Sequence, residues 1–227
     1  MHPYEQSKRP EHLHERIYDF FASLKEPRVE RARELRREVR SIHKWARREK
    51  IQAEEVSGIM ALRINPMTGR REVLLVRGIT KGKLKEFYQF PGGFLRDGEG
   101  PVTALHREIG EELKATVPRN VSYERTYAPE LKPGSKKALV VHAFKIEHCN
   151  WEKPDANGNV PEGKIPVTVG DDVNEMIWTD KPFEHDDGTP RILTAQVDYM
   201  LRYHLGFVGP ANKNTPREGY NGMPWRS

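Results

Sequence analysis

The chain has 227 residues, 36% hydrophobic and 31% charged, a mix that suits a domain of roughly 150 residues with a surface-rich extension and excludes complete disorder. Its 38 Lys and Arg against 33 Asp and Glu leave a net charge of +5, which attracts polyanionic ligands. The lone Cys149 excludes an internal disulfide, no Cys/His cluster has zinc-finger spacing, and no stretch has a signal-peptide core or membrane-spanning length, so a cytoplasmic location and no membrane partner are expected.

In chain order, Leu13, Ile17, Phe20, Phe21 and Leu24 recur at helical spacing before Pro27, and Val29, Ala32, Leu35, Val39, Ile42 and Ala46 after it. Two amphipathic helices forming a hairpin are predicted within a basic extension, residues 1–54. The second carries ten basic residues between Arg28 and Lys50 against four acidic ones, yet its apolar stripe requires burial on the main domain or on a second copy of the chain. A homodimer through these helices is the default expectation, and contact with RNA or DNA is the less favoured one.

The composition changes at Val56. Residues 56–64 and 71–79, VSGIMALRI and REVLLVRGI, read as a β-hairpin around the turn-forming 65–69, and 86–90 reads as a strand running into Pro91-Gly92-Gly93. A helix is predicted from Gly100 to Lys114, strands at Val121–Tyr127 and Ala138–Ile146, and an irregular loop over 151–168, which is rich in Pro, Gly and Asn. A strand at Val173–Thr179 and a helix from Arg191 to Leu205, with Ile192 on its buried edge, close a main domain of residues 55–208. A loose tail is expected over 209–227.

The chemistry is concentrated between Gly93 and Ala115. On a helix, Glu108, Glu111 and Glu112 are three and four residues apart, so their carboxylates share one face and repel one another. A hard divalent cation offsets that repulsion best, and magnesium, with manganese as the substitute, also accepts oxygens from a substrate phosphate. The opposite face, Val102, Leu105, Ile109 and Leu113, anchors the helix. Gly92 and Gly93 let the backbone approach a ligand or metal, so Gly93 is counted with the metal set, and Glu99 has a supporting role, holding Arg107 or meeting the helix dipole.

The whole segment resembles the Nudix box: a glycine, five residues, a glutamate, seven residues, Arg-Glu-aliphatic, one residue, Glu-Glu, one residue, glycine and an aliphatic residue. Gly93, Glu99, Arg107, Glu108, Ile109, Glu111 and Glu112 fill these places, while the last two hold Lys114 and Ala115. The resemblance implies an α/β/α sandwich with a mixed β-sheet. It also implies metal binding by Glu108, Glu111 and Glu112, a carboxylate-orienting Arg107, and a hydrolase that cleaves a diphosphate linkage by attack of water. In that reading Glu111, Glu112, Arg107 and Glu99 carry the catalysis, and the general base is Glu112, Glu111 or a later carboxylate, Asp171, Asp172 or Glu175, with Glu175, on the strand with Trp178, as the named candidate.

Arg77, Lys83 and Lys85 surround the entry to the glycines and are expected to face substrate phosphates, and Tyr88 to stack on a base. Phe90, Tyr127 and Phe144 are further stacking candidates, more often core residues in strands. The favoured substrate is a small phosphorylated nucleotide, ADP-ribose or a nucleotide sugar. The alternatives are a nucleoside triphosphate, a dinucleoside polyphosphate, a diphosphoinositol polyphosphate, and the 5′ end of an RNA held by the basic helices.

Overall fold

The computed structural model describes residues 31–80, 83–127 and 136–210. The first predicted helix and residues 211–227 of the tail lie outside these, and α1 therefore denotes Ala32–Glu49.

α1 forms where its apolar residues fall three and four apart, and Leu35, Val39, Ile42, Trp45 and Ala46 are all buried to 7% exposure or less. The helix ends where Lys50 turns left-handed and its N–H reaches back to the Ala46 and Arg47 carbonyls. The stripe is covered within the chain: Leu35 and Val39 join the main core, while Ile42, Trp45 and Ala46 pack on Ala138 and Val140.

The strands are β1 (Gln52–Ile64), β2 (Arg71–Thr80), β3 (Lys83–Leu84), β4 (Gly92–Phe94), β5 (Ser122–Tyr127), β6 (Lys137–Ile146), β7 (Trp151–Glu152), β8 (Ile165–Pro166) and β9 (Val173–Thr179). The order β3-β2-β1-β6-β5 makes one mixed sheet, with β4 added to β1 and β9 to β2. β1 joins β2 as the predicted hairpin, pairing Leu62 with Val73, and then runs parallel to β6 from Gln52 to Ala61. Parallel pairing of two strands so far apart in sequence cannot be read from a local pattern, because it needs a long crossover connection.

That crossover carries α2 (Pro101–Leu113), whose Val102, Leu105, Ile109 and Leu113 are at most 1% exposed on one face of the sheet. Each such side chain contributes about 1.5–3 kcal/mol by leaving water. α3 (Ala195–Tyr203) covers the other face, with Val197, Met200 and Leu201 packed among Met60, Leu62, Val73 and Leu75. Helices thus lie on both faces of a mixed sheet, the expected architecture. Among the described residues no helix is long and apolar enough to cross a membrane.

Three local expectations are corrected. Residues 86–90 are not a strand: Gln89 bridges only Val76, Tyr88 bridges only Leu193, and Pro91, without an N–H, stops any ladder. The loop over 151–168 is not wholly irregular, since β7 and β8 pair in parallel within it. The last helix starts four residues late, where the Thr194 side chain accepts the Val197 N–H as its N-cap, and Ile192 is 57% exposed while Leu193 is buried.

Candidate catalytic site

The glycines come first because they admit everything else. Gly92 has φ of 139°, and a Cβ there would lie 2.0 Å from the Ser57 carbonyl oxygen. A Cβ on Gly93 would lie 2.5 Å from the Glu108 carboxyl carbon. Bare backbone at Gly92 is therefore what lets β4 pair with β1, and at Gly93 it leaves the space that the Glu108 carboxylate occupies. The Gly92 N–H donates to Glu112 Oε2 at 2.8 Å.

Above this strand Arg107 gathers the carboxylates. Its Nε and Nη2 donate to the two oxygens of Glu99 at 2.9 and 2.8 Å, and its Nη1 donates to Glu108 at 2.6 Å and Glu111 at 2.9 Å. Nη2 also reaches the Phe94 carbonyl at 2.8 Å, tying the cluster to β4. Arg96, which sequence reasoning did not single out, donates to the second oxygen of Glu111 at 2.9 Å.

Burial sorts the four acids. Burial raises the Glu99 carboxyl, but the Arg107 bonds and the Arg96 N–H outweigh it and the net shift is downward. Burial raises Glu108, and Arg107 only partly opposes it. Glu112 is 7% exposed, and burial, reinforced by the charges of Glu108 and Asp172, pushes its carboxyl up to about 8 against the Gly92 N–H and Lys85. A buried carboxylate so short of positive charge suits a cation.

Among the described residues no three His, Cys, Asp or Glu side chains stand ready around a metal. Arg107 and Arg96 hold both oxygens of Glu111, Arg107 holds one of Glu108, and the Gly92 N–H holds one of Glu112, so four of the six oxygens are turned to the protein's own donors. The donor set itself, three hard carboxylates on one helix face beside bare backbone, fits a magnesium-class ion in kind.

These groups stand at one side of a cleft of about 680 Å³ whose walls include Phe87, Phe90, Leu139, Val141 and Met200. Lys85 and Asp172 line it with Glu108, Glu111 and Glu112. Asp172 follows Gly170, which approaches α2 so closely that its N–H donates to the Glu112 carbonyl at 2.6 Å.

Other candidates stand elsewhere. Tyr88 is 2% exposed and its hydroxyl donates to Glu175 at 2.7 Å, so neither is among the residues lining the cleft. Arg77 donates to the Lys85 carbonyl at 2.7 Å and lies over the Tyr88 ring, also away from the lining. The Lys83 and Tyr127 side chains lie outside the described residues, and Phe144 is fully buried core. The cleft-facing Gln89 and Gln196, amides with no hydrogen-bonded partner for their side chains among the described residues, went unnoticed in the sequence because single amides carry no pattern.

Residues 55–166 match the family model described as NUDIX domain. The chain carries a NUDIX domain. No curated protein matches the chain. Solved structures similar to this Nudix chain include a bifunctional NMN adenylyltransferase/ADP ribose pyrophosphatase from Francisella tularensis, at 16% identity and a TM-score of 0.45 over 74% of this chain and 46% of the other. A MutT/nudix family protein from Enterococcus faecalis is 18% identical, with a TM-score of 0.40 over 66% of this chain and 56% of its own. An Ap4A hydrolase from C. elegans is 20% identical, with a TM-score of 0.36 over 55% and 78%.

Proposed function

We propose that this Nudix domain hydrolyses the diphosphate linkage of a nucleoside diphosphate derivative, ADP-ribose or a nucleotide sugar, with a magnesium or manganese ion held by Glu108, Glu111 and Glu112. The observation that carries the reading is the buried, cation-poor Glu112 beside two further carboxylates at the edge of an apolar-walled cleft. Such walls suit a nucleoside, and the volume leaves room for a diphosphate next to it. Of the basic groups lining the cleft among the described residues, Arg96 and Arg107 are already engaged by glutamates, and Lys85 is placed to face an anionic substrate.

When bound, the divalent ion would polarise the phosphoryl oxygens and acidify a water. Arg107, on α2, keeps Glu108 and Glu111 of that helix in register with Glu99 before it, and its hydrogen bonds and charge favour the ionised form of Glu99. Lys85 faces the anionic substrate and Asp172, placed in the cleft, is the carboxylate we assign to receive the proton of the attacking water. Glu175, hydrogen-bonded to a buried tyrosine, is the less suitable base.

The test is release of products from a panel of ADP-ribose, nucleotide sugars, nucleoside triphosphates, dinucleoside polyphosphates, diphosphoinositol polyphosphates and capped RNA, with and without magnesium. Wild type is expected to cleave a diphosphate-linked nucleoside in a magnesium-dependent manner, and Glu111→Gln and Glu112→Gln to lose about 10²–10³-fold in kcat, the scale of removing one preorganised electrostatic group. Turnover unchanged in both variants would remove the metal assignment, and preference for another member of the panel would replace the substrate.

A further inference from the structure

We infer that the outward face of α1 is a binding surface for the phosphate backbone of a nucleic acid, separate from the catalytic cleft. No residue of α1 lines that cleft, so the inference stands independently of the substrate reading.

The buried stripe fixes the rotation of the helix. With Leu35, Val39, Ile42, Trp45 and Ala46 inside, Arg33, Arg37, Arg40, Lys44 and Arg47 are all exposed. They follow one another at intervals of four, three, four and three residues, which sets one cation per turn along a line of about 21 Å. None of the five makes an ion pair among the described residues; Arg40 and Arg47 touch only backbone carbonyls of their own helix. Of the acids near them, Glu34 is used by Arg31, Glu49 by Arg48 and Glu54 by Lys137, while Glu38, between Arg37 and Arg40 in the sequence, is half-buried.

The charge is also concentrated here. Residues 31–50 contain nine Lys and Arg and three Glu, a net of +6, against +5 for the whole chain, so the remaining residues together sum to −1. The surplus extends past the helix to exposed Lys50 and to Lys136, whose carbonyl accepts the Gln52 N–H at 2.8 Å.

The character of the face selects the partner. Among its described side chains the exposed ones include no aliphatic or aromatic group, so nothing there would insert below lipid headgroups or anchor a protein pocket. Four of the five aligned cations are arginine, whose planar fork grips phosphate oxygens in pairs, unlike the point charge of lysine. A ladder rigidly mounted on the sheet meets a regularly spaced polyanion without further ordering, whereas a flexible acidic peptide would have to be ordered on binding.

The experiment uses the full chain and fluorescence anisotropy with a labelled 20-nucleotide RNA, the corresponding RNA duplex and a DNA duplex, between 50 and 200 mM KCl. Wild type should bind at least one of them, with affinity falling as a power of salt concentration of about −3 or steeper. Substituting Arg33→Gln, Arg37→Gln, Arg40→Gln and Arg47→Gln together should weaken binding at least tenfold at 50 mM and flatten that slope by about three, since each lost phosphate contact removes roughly 0.7–0.9. Hydrolysis of a mononucleotide substrate and the melting temperature should stay as in wild type. The matching four Arg→Lys substitutions should keep the slope to within one.

No binding at 50 mM, a wild-type slope shallower than −1, or a glutamine variant that folds and binds with the wild-type slope would overturn the inference. Equal affinity for polyglutamate or for anionic lipid vesicles at matched charge would also overturn it, in favour of a general acidic partner. Which of the three nucleic acids binds tightest then names the form of the backbone recognised.

Discussion

Lys114 is the residue at which this chain departs from its family's pattern. It ends α2 with φ 48° and ψ 31°, the left-handed conformation in which a side chain crowds the following carbonyl. The Nudix pattern has glycine at that place, and the backbone has kept the glycine's conformation around a lysine. Lys114→Gly should therefore stabilise the protein by about 1 kcal/mol, the strain relieved less the extra freedom glycine gives the unfolded chain. Urea unfolding at neutral pH checks this; an unchanged or lower midpoint would mean that the exposed lysine stem stabilises this turn by as much as its strain costs. At the same scale, the glutamates of α2 were legible because their spacing alone puts them on one face. Tyr88 and Glu175 were not, because their meeting depends on the lateral packing of separate segments, and a phenol buried against a carboxylate looks in sequence like any exposed aromatic.

α2 is the element on which sequence and tertiary contact divide most clearly. Its start at Pro101, its apolar face and its acidic face follow from periodicity, but its C-terminal carbonyls need partners that no local pattern supplies. The segment after β8 supplies them: Thr168 N–H donates to the Leu113 carbonyl at 3.0 Å and Gly170 N–H to that of Glu112 at 2.6 Å. Residues 167–172, VTVGDD, carry no local pattern that tells what they rest against. A Cβ on Gly170 would lie 1.8 Å from the Glu111 carbonyl oxygen, so Gly170→Ala must push the loop off the helix end and move Asp172 with it. The expected cost is about 1–3 kcal/mol of stability, with kcat falling more than KM rises because the loop carries the assigned proton acceptor. Thermal melts and steady-state kinetics on the same preparation separate the two effects; a variant with the melting temperature and kcat of wild type would show that the loop adjusts freely and does not position Asp172.

At the scale of the molecule, the question is what joins α1 to the sheet besides its apolar stripe. A polar chain runs across the layer: Tyr123 Oη to Thr126 Oγ1 at 2.7 Å, Thr126 Oγ1 to His142 Nδ1 at 2.8 Å, His142 Nε2 to Glu55 at 2.6 Å, and the other Glu55 oxygen to His43 of α1 at 3.2 Å. Burial alone would raise the Glu55 carboxyl, but its hydrogen bonds from His142 and His43, with their charge, outweigh burial and hold it well below the usual carboxylate range. A carboxyl depressed in the folded state contributes stability that is complete above its unfolded value, about 4.3, and is lost as pH falls below that value toward the folded one. Glu55→Gln should accordingly cost about 1.5–3 kcal/mol at pH 7, the scale of hydrogen bonds to a charged group. The variant's stability should also fall less steeply with acid, so that the two proteins converge as pH drops from 5 to 3. Urea unfolding at pH 7, 5, 4 and 3 measures both curves. A difference that stays constant down to pH 3 would mean that packing around the side chain, and not its charge between the two imidazoles, is what ties the basic helix to the catalytic domain.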